Sequence, residues 1–213
     1  MKNKWIAFSA LASLLLFAPH AFGRTMALKF VDCDMMAAIV AEGPRHSWAS
    51  HDDGKGIFRV NPLHPTSEHS FLIRYALDKI PKGQHITNAE WTMAIGQASA
   101  GTRLFFWRIT AEWGPGVNYQ YRMLRPKALT WAVPGARGNS SDRATKPSAI
   151  ITVQQNGPIT VNVTEDVELW YTGAAPNYGW LVTVEDPDAY ILMSAPVSMP
   201  PYDWELRVTY EPQ

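Results

Sequence analysis

The chain has 213 residues, with 19 basic and 19 acidic side chains and a single cysteine, Cys33. Balanced charge gives no broad electrostatic footprint for nucleic acid, and one cysteine excludes an internal disulfide and a cysteine-based zinc site. The core must therefore hold the fold unaided; nine Trp, eight Tyr and eight Phe supply the area for it, at roughly 150–250 Å² each.

The chain opens with MKNKWIAFSALASLLLFAPHAFG, in which Lys2 and Lys4 precede an apolar run over 6–18 and the small residues Ala21 and Gly23. This is the pattern of an export signal cleaved after Gly23. The run falls short of the roughly 20 apolar residues that span a bilayer. Cys33 follows Phe-Val-Asp, so no lipidation motif is present. The expected organisation is a signal peptide over 1–23 and one domain over 24–213. The product would be secreted, periplasmic or held at the cell surface, with no membrane insertion after cleavage.

Residues 41–70 are rich in His, Asp, Gly and Pro and read as an extended surface segment. Beyond them, period-two alternation recurs and helical periodicity barely shows. In SFLIRYALDKIP, Phe71, Ile73, Tyr75 and Leu77 alternate with Leu72, Arg74 and Ala76. In ITNAEWTMAIG, Ile86, Ala89, Trp91, Met93 and Ile95 mark a second strand, and TRLFFWRIT is apolar on both faces, as a central strand would be. Further strands are expected at 129–132, 149–153, 159–163, 179–184, 189–193 and 204–210. The one helical segment is VTEDVELWYTG, with Thr164 as a cap, Val167 and Trp170 on one face and Gly173 as the stop. Turn residues every 8–15 positions between short strands point to a sandwich or a barrel.

Four stretches carry a resemblance. FLIRYALDKIPKG, ITNAEWTMAI, LFFWRITAEW with the later LTW, and above all VNVTEDVELWYTGAAPNYGWLV resemble the DNRLRE domain family over most of residues 70–210. The resemblance implies a single β-sandwich of jelly-roll type with short helical turns, and a non-catalytic carbohydrate-binding role. Asn162 stands where the family usually carries Asp, and the interval from 111 to 149 is long and rich in Arg and Tyr.

In NYGWLV, Asn177 and Gly179 suit a turn into a strand because both tolerate positive φ. Trp180, Val182 and Val184 then share a core face, with Trp180 packing near Trp170. Arg74 and Arg108 lie opposite uniformly apolar strand faces, where a guanidinium on a concave sheet could pair bidentately with a uronate carboxylate. An internal carboxylate partner is the alternative. Trp113, Tyr119 and Tyr121, with Trp48 and Tyr202, sit beside Gly and Pro and offer stacking platforms for sugar rings.

His46, His51, Asp52 and Asp53, and separately Asp186 and Asp188, could hold a metal. A structural calcium is the one such ion the pattern suggests, and no other cofactor is expected. No GxSxG, HExxH or P-loop is present, so no enzyme activity is expected. The reading is a binder of an extracellular polysaccharide, an acidic one among the options, through Arg74, Arg108, Trp113, Tyr119 and Tyr121. The alternative is a structural or adhesive module with protein partners at the cell surface.

Overall fold

The computed structural model describes residues 23–42, 48–49, 57–64, 67–185, 191–194 and 204–213. Residues 1–22, which hold most of the expected export signal, lie outside the described residues, as do His46, His51, Asp52, Asp53, Asp186, Asp188, Tyr202 and the side chain of Trp48. The fold is all-β and sandwich-like, with antiparallel ladders and, among the described residues, one α-helix.

In chain order, β1 (Arg24–Lys29) leads through a 3-10 turn at Phe30–Asp32 into β2 (Cys33–Glu42), β3 (Trp48–Ala49), β4 (Ile57–His64) and β5 (Ser67–Tyr75). Next come the long β6 (Gln84–Ala98), β7 (Arg103–Arg108), and the small ribbon β8 (Tyr121–Met123) and β9 (Leu129–Thr130). The chain closes with β10 (Ala149–Thr152), β11 (Gly157–Asn162), α1 (Thr164–Tyr171), β12 (Trp180–Val184), β13 (Ile191–Ser194) and β14 (Glu205–Pro212).

Each strand expected from alternation is present. β1, β2 and β8 go beyond that expectation, and β3 and β4 occupy parts of the segment 41–70 read as extended surface. β2, CDMMAAIVAE, hides from a period-two reading because it is buried on both sides. Met36 faces one apolar cluster while Ala37 and Ile39 face the other. A strand covered on both faces loses its alternation.

One layer contains β1, β14, β6, β11 and β13, with β14 and β13 sharing successive parts of β6 and β11 on its other edge. The opposing layer runs β3-β2-β5-β12-β7-β10, and β4 joins the two by pairing with both β13 and β5. Between the layers lies the larger core, built around Trp91, Trp180 and Trp204 with Phe71, Phe106 and Leu206. The rings of Trp91 and Trp180 stack at 5.7 Å, and Trp170 from α1 meets Trp180 at 4.6 Å. Offset and edge-on aromatic pairs of this kind add about 0.5–1.5 kcal/mol each beyond their buried area.

The turn before β12 uses its residues as expected. The Asn177 side chain donates to Tyr75 O and accepts from Gly179 N, fixing the corner. Gly179 has φ of 73°, and a Cβ there would fall 2.1 Å from Ile73 O, so only glycine fits. Trp180, Val182 and Val184 face the core together, which makes these tryptophans structural.

α1 differs in one detail. Thr164 is its first residue rather than its cap; its Oγ1 accepts from Ala89 N at 2.8 Å, locking the helix onto β6. Asn162 Oδ1 instead accepts from Thr164 N at 3.1 Å, so the amide serves where a carboxylate would. Gly173, φ 75°, ends the helix.

Candidate functional site

The layer containing β7 is apolar on its second face too. Ala37, Ile39, Leu72, Phe105, Trp107, Ile109 and Leu181 form a surface that must be kept from water. The segment between β7 and β10 does this. Trp113, Val117, Trp131 and Ala136 pack down onto that face and complete a second core.

Polar contacts fix this covering layer. Trp131 Nε1 donates to Asn118 O at 2.9 Å, and the Asn118 side chain accepts from Gln120 N and Tyr121 N, both at 2.9 Å. Buried Asp142 gathers the loop around itself, accepting from Ala132 N at 2.8 Å and from Val133 N and Gly138 N at 2.9 Å. Its neighbour Gly138 has to lack a Cβ, which would sit 2.5 Å from the Asp142 carboxylate. Arg143 lays its guanidinium 3.6 Å above the ring of Trp107, a cation–π contact.

Where this layer meets the turn before β12 it leaves an open cleft of about 500 Å³, lined by Glu112, Arg122, Thr130, Trp131, Ser141 and Tyr178 among others. Trp113 Nε1 donates to Tyr178 O at 2.7 Å and holds that residue in place. Arg122 donates through one Nη to Glu112 O, so the arginine is tied to the rim, and among the described residues the rest of its fork is still to be used. Thr110 also lines the cleft, and its Oγ1 has no hydrogen-bond partner among the described residues. The cleft thus offers a cation, a carboxylate, hydroxyl groups and a half-exposed tyrosine over a rigid floor. Such a set suits the hydroxyl and carboxylate edges of a sugar.

The surrounding segment is basic. Between β7 and β10, Arg122, Arg125, Lys127, Arg137, Arg143 and Lys146 face only Glu112 and Asp142 as acids, and the Asp142 carboxylate is buried in backbone hydrogen bonds. A chain neutral overall therefore concentrates positive charge on one layer.

The sequence-derived site comes apart in the fold. Arg74 pairs with Asp34, its Nε donating at 2.8 Å and its Nη2 lying 2.6 Å from the same oxygen. Arg108 lies 3.1 Å from Asp166 on α1. Trp180 sits opposite both Ile73 and Arg108, so Arg108 shares the inter-sheet face with Trp180 while Arg74, next along from Ile73, points to the other. The two arginines thus lie on opposite faces of the layer and each has an internal carboxylate, so they do not form one binding face. Trp113 is corrected as well: at 2 % exposure it is a core residue and no stacking platform. Tyr119 is half-buried against the second core. Tyr121 is half-buried and pairs across from Thr130, one of the cleft residues, so it alone stays beside the cleft.

Asp166 is a second buried carboxylate, 5 % exposed, on the inter-sheet face that Arg108 shares. It accepts from Trp180 Nε1 at 2.7 Å and bonds Ser148 besides facing Arg108. Burial raises its carboxyl above the usual aspartate value against the pull of Ser148, Trp180 and Arg108. Cys33 is half-buried with its thiol directed at Met35 O and Arg74 O, and burial pushes its pKa up to about 12.

Among the described residues, no group of three or more His, Cys, Asp or Glu is placed to hold a metal ion. No helix among them is long and apolar enough to cross a membrane. Neither the family models nor the curated proteins give a match to this chain.

Sequence reasoning missed Glu112, Arg122, Thr130, Ser141 and Tyr178. The available signal was the length and Arg/Tyr content of the 111–149 interval next to a strand apolar on both faces, which called for a cover.

Proposed function

We propose that the protein is an exported, non-catalytic polysaccharide-binding module of the DNRLRE jelly-roll kind, and that the cleft in the covering layer receives an acidic glycan. The observation that carries this reading is the position of Arg122, tethered to Glu112 O on a cleft rim within a layer where basic residues outnumber acidic ones. A uronate carboxylate would take the open side of the Arg122 fork, and hydroxyl groups would meet Thr130, Ser141 and Glu112. Tyr178, held from behind by Trp113, would lie against the sugar ring.

Affinity electrophoresis of wild type, Arg122→Ala and Tyr178→Ala in gels holding alginate, another uronate polymer or a neutral glucan tests it. Wild type should be retarded by the uronate polymers, and Arg122→Ala should lose about 1.5–3 kcal/mol of binding, as for a hydrogen bond to a charged group. Binding should weaken with salt, because exposed charges are screened beyond about 8 Å at physiological ionic strength. Retardation by none of the polymers would sink the carbohydrate reading. Retardation that ignores Arg122→Ala would move the site elsewhere.

A further inference from the structure

The layer that carries the covering segment ends at β10, which pairs with β7 and with no other strand among the described residues. Val153 N donates to Thr102 O, and in antiparallel alternation residues 149, 151 and 153 then turn their backbone groups toward β7. The N–H and C=O of Ile150 and Thr152 point outward. Ile150 is 51 % exposed, and Thr152 is exposed as well.

Free edges are normally guarded by charge, proline or a bulge. β1 carries Arg24 and Lys29, and β11 carries Pro158. β10 has neither device, and no charged residue occurs anywhere from Pro147 to Thr164. An unguarded edge with alternating outward groups is a template for another strand.

We infer that β10 pairs antiparallel with β10 of a second copy, across a two-fold axis at Ile151. In that register Ile150 of each copy exchanges both backbone hydrogen bonds with Thr152 of the other, which satisfies all four outward pairs of groups. Ile151, half-buried against the inter-sheet core, meets its symmetry mate, and the two cores join through an apolar contact. The lack of charge makes the strand compatible with itself, since no like charges oppose one another about the axis. The result is an isologous dimer with one sheet continuous through both copies. The contact is small, so the dimer forms at high concentration and parts on dilution.

Sedimentation velocity over a concentration series, from micromolar to millimolar, with wild type, Ile150→Lys and Thr152→Pro tests this. Wild type should pass from monomer to dimer, and each variant should dimerise about tenfold more weakly or less. Amide exchange at Ile150 and Thr152 should slow in the dimer and be fast in the monomer. Should Thr152→Pro disturb the fold by circular dichroism, Ile150→Lys decides alone, because its side chain is half exposed. A monomer at every concentration would overturn the inference. So would a dimer indifferent to both variants, or slow exchange at Ile150 and Thr152 in the monomer, which would mean that the chain's own residues cover the edge.

Discussion

At the residue scale, Gly179 and Asp166 hold the same corner by different means. Gly179 needs both its positive φ and the absence of a Cβ that would strike the Ile73 carbonyl. Gly179→Ala should cost about 3 kcal/mol or more, since strain of about 1–3 kcal/mol at that φ adds to a backbone clash. A melting temperature within a degree of wild type would contradict this. Asp166 makes a pH prediction. Its folded pKa is raised, so its contribution to stability is full below the ordinary value of 3.8 and is lost as pH rises through the folded value. Asp166→Asn keeps an acceptor for Trp180 Nε1 but does not titrate. The stability of wild type relative to this variant should therefore fall as pH rises from 3.8. A relative gain over that range would mean that Arg108 outweighs burial.

At the element scale, what the sequence reveals depends on whether an element can be read by itself. β5, β6, β7 and β12 were legible because each carries its own apolar face. α1 was legible from Val167, Trp170 and Gly173. The faces of Arg74 and Arg108 were not legible, because their relation passes through β12, and which residues that strand sets opposite each other is not written in β5 or β7. Trp113 looked like a loop aromatic because Gly114 and Pro115 follow it; only the apolar second face of β7 explains why it is buried. The same holds for the cleft, whose residues come from the cover and from the turn before β12 and meet only in three dimensions. Asp142 organises that cover. Asp142→Ala should cost about 3 kcal/mol, since it strips three backbone donors of a charged acceptor and leaves Gly138 N buried. Amide exchange at Ala132, Val133 and Gly138 should quicken while that of Trp91 and Leu206 in the inter-sheet core stays slow. Uniform acceleration across both would show that the cover has no local stability of its own.

At the scale of the whole molecule, acid sensitivity should begin where the two layers are linked through the 3-10 turn. Glu205 pairs with Lys29 and, at 2.9 Å, with Arg207, while Asp32 pairs with Lys79 and accepts from Lys29 N. Burial would raise Glu205, but Lys29 and Arg207 together leave it below its usual value, and the Lys79 pair with the Lys29 backbone bond lowers Asp32. Both contribute stability above their unfolded values, 4.5 and 3.8, and lose it as pH falls through the lowered folded ones. Glu205→Gln should cost about 1 kcal/mol at neutral pH, allowing for the exposure of Lys29 and Arg207. Its difference from wild type should close in acid. A difference that persists at pH 2 would point to packing instead of charge.

The pairing of β1 with β14 also decides how the molecule would bear a pull. Arg24 lies across from Tyr210, and the ladder runs from there to the Lys29–Glu205 pair. A load applied between Gly23 and Gln213 would meet this ladder end-on and part its hydrogen bonds one after another, not all at once. The peeling would draw Met26 and then fully buried Leu28 away from the tryptophan-filled interior before it reached the Lys29–Glu205 ion pair, so the core resists from within the strand. Under tension between these two points β1 would come away one residue at a time, and each inward side chain that left the core would add its own resistance.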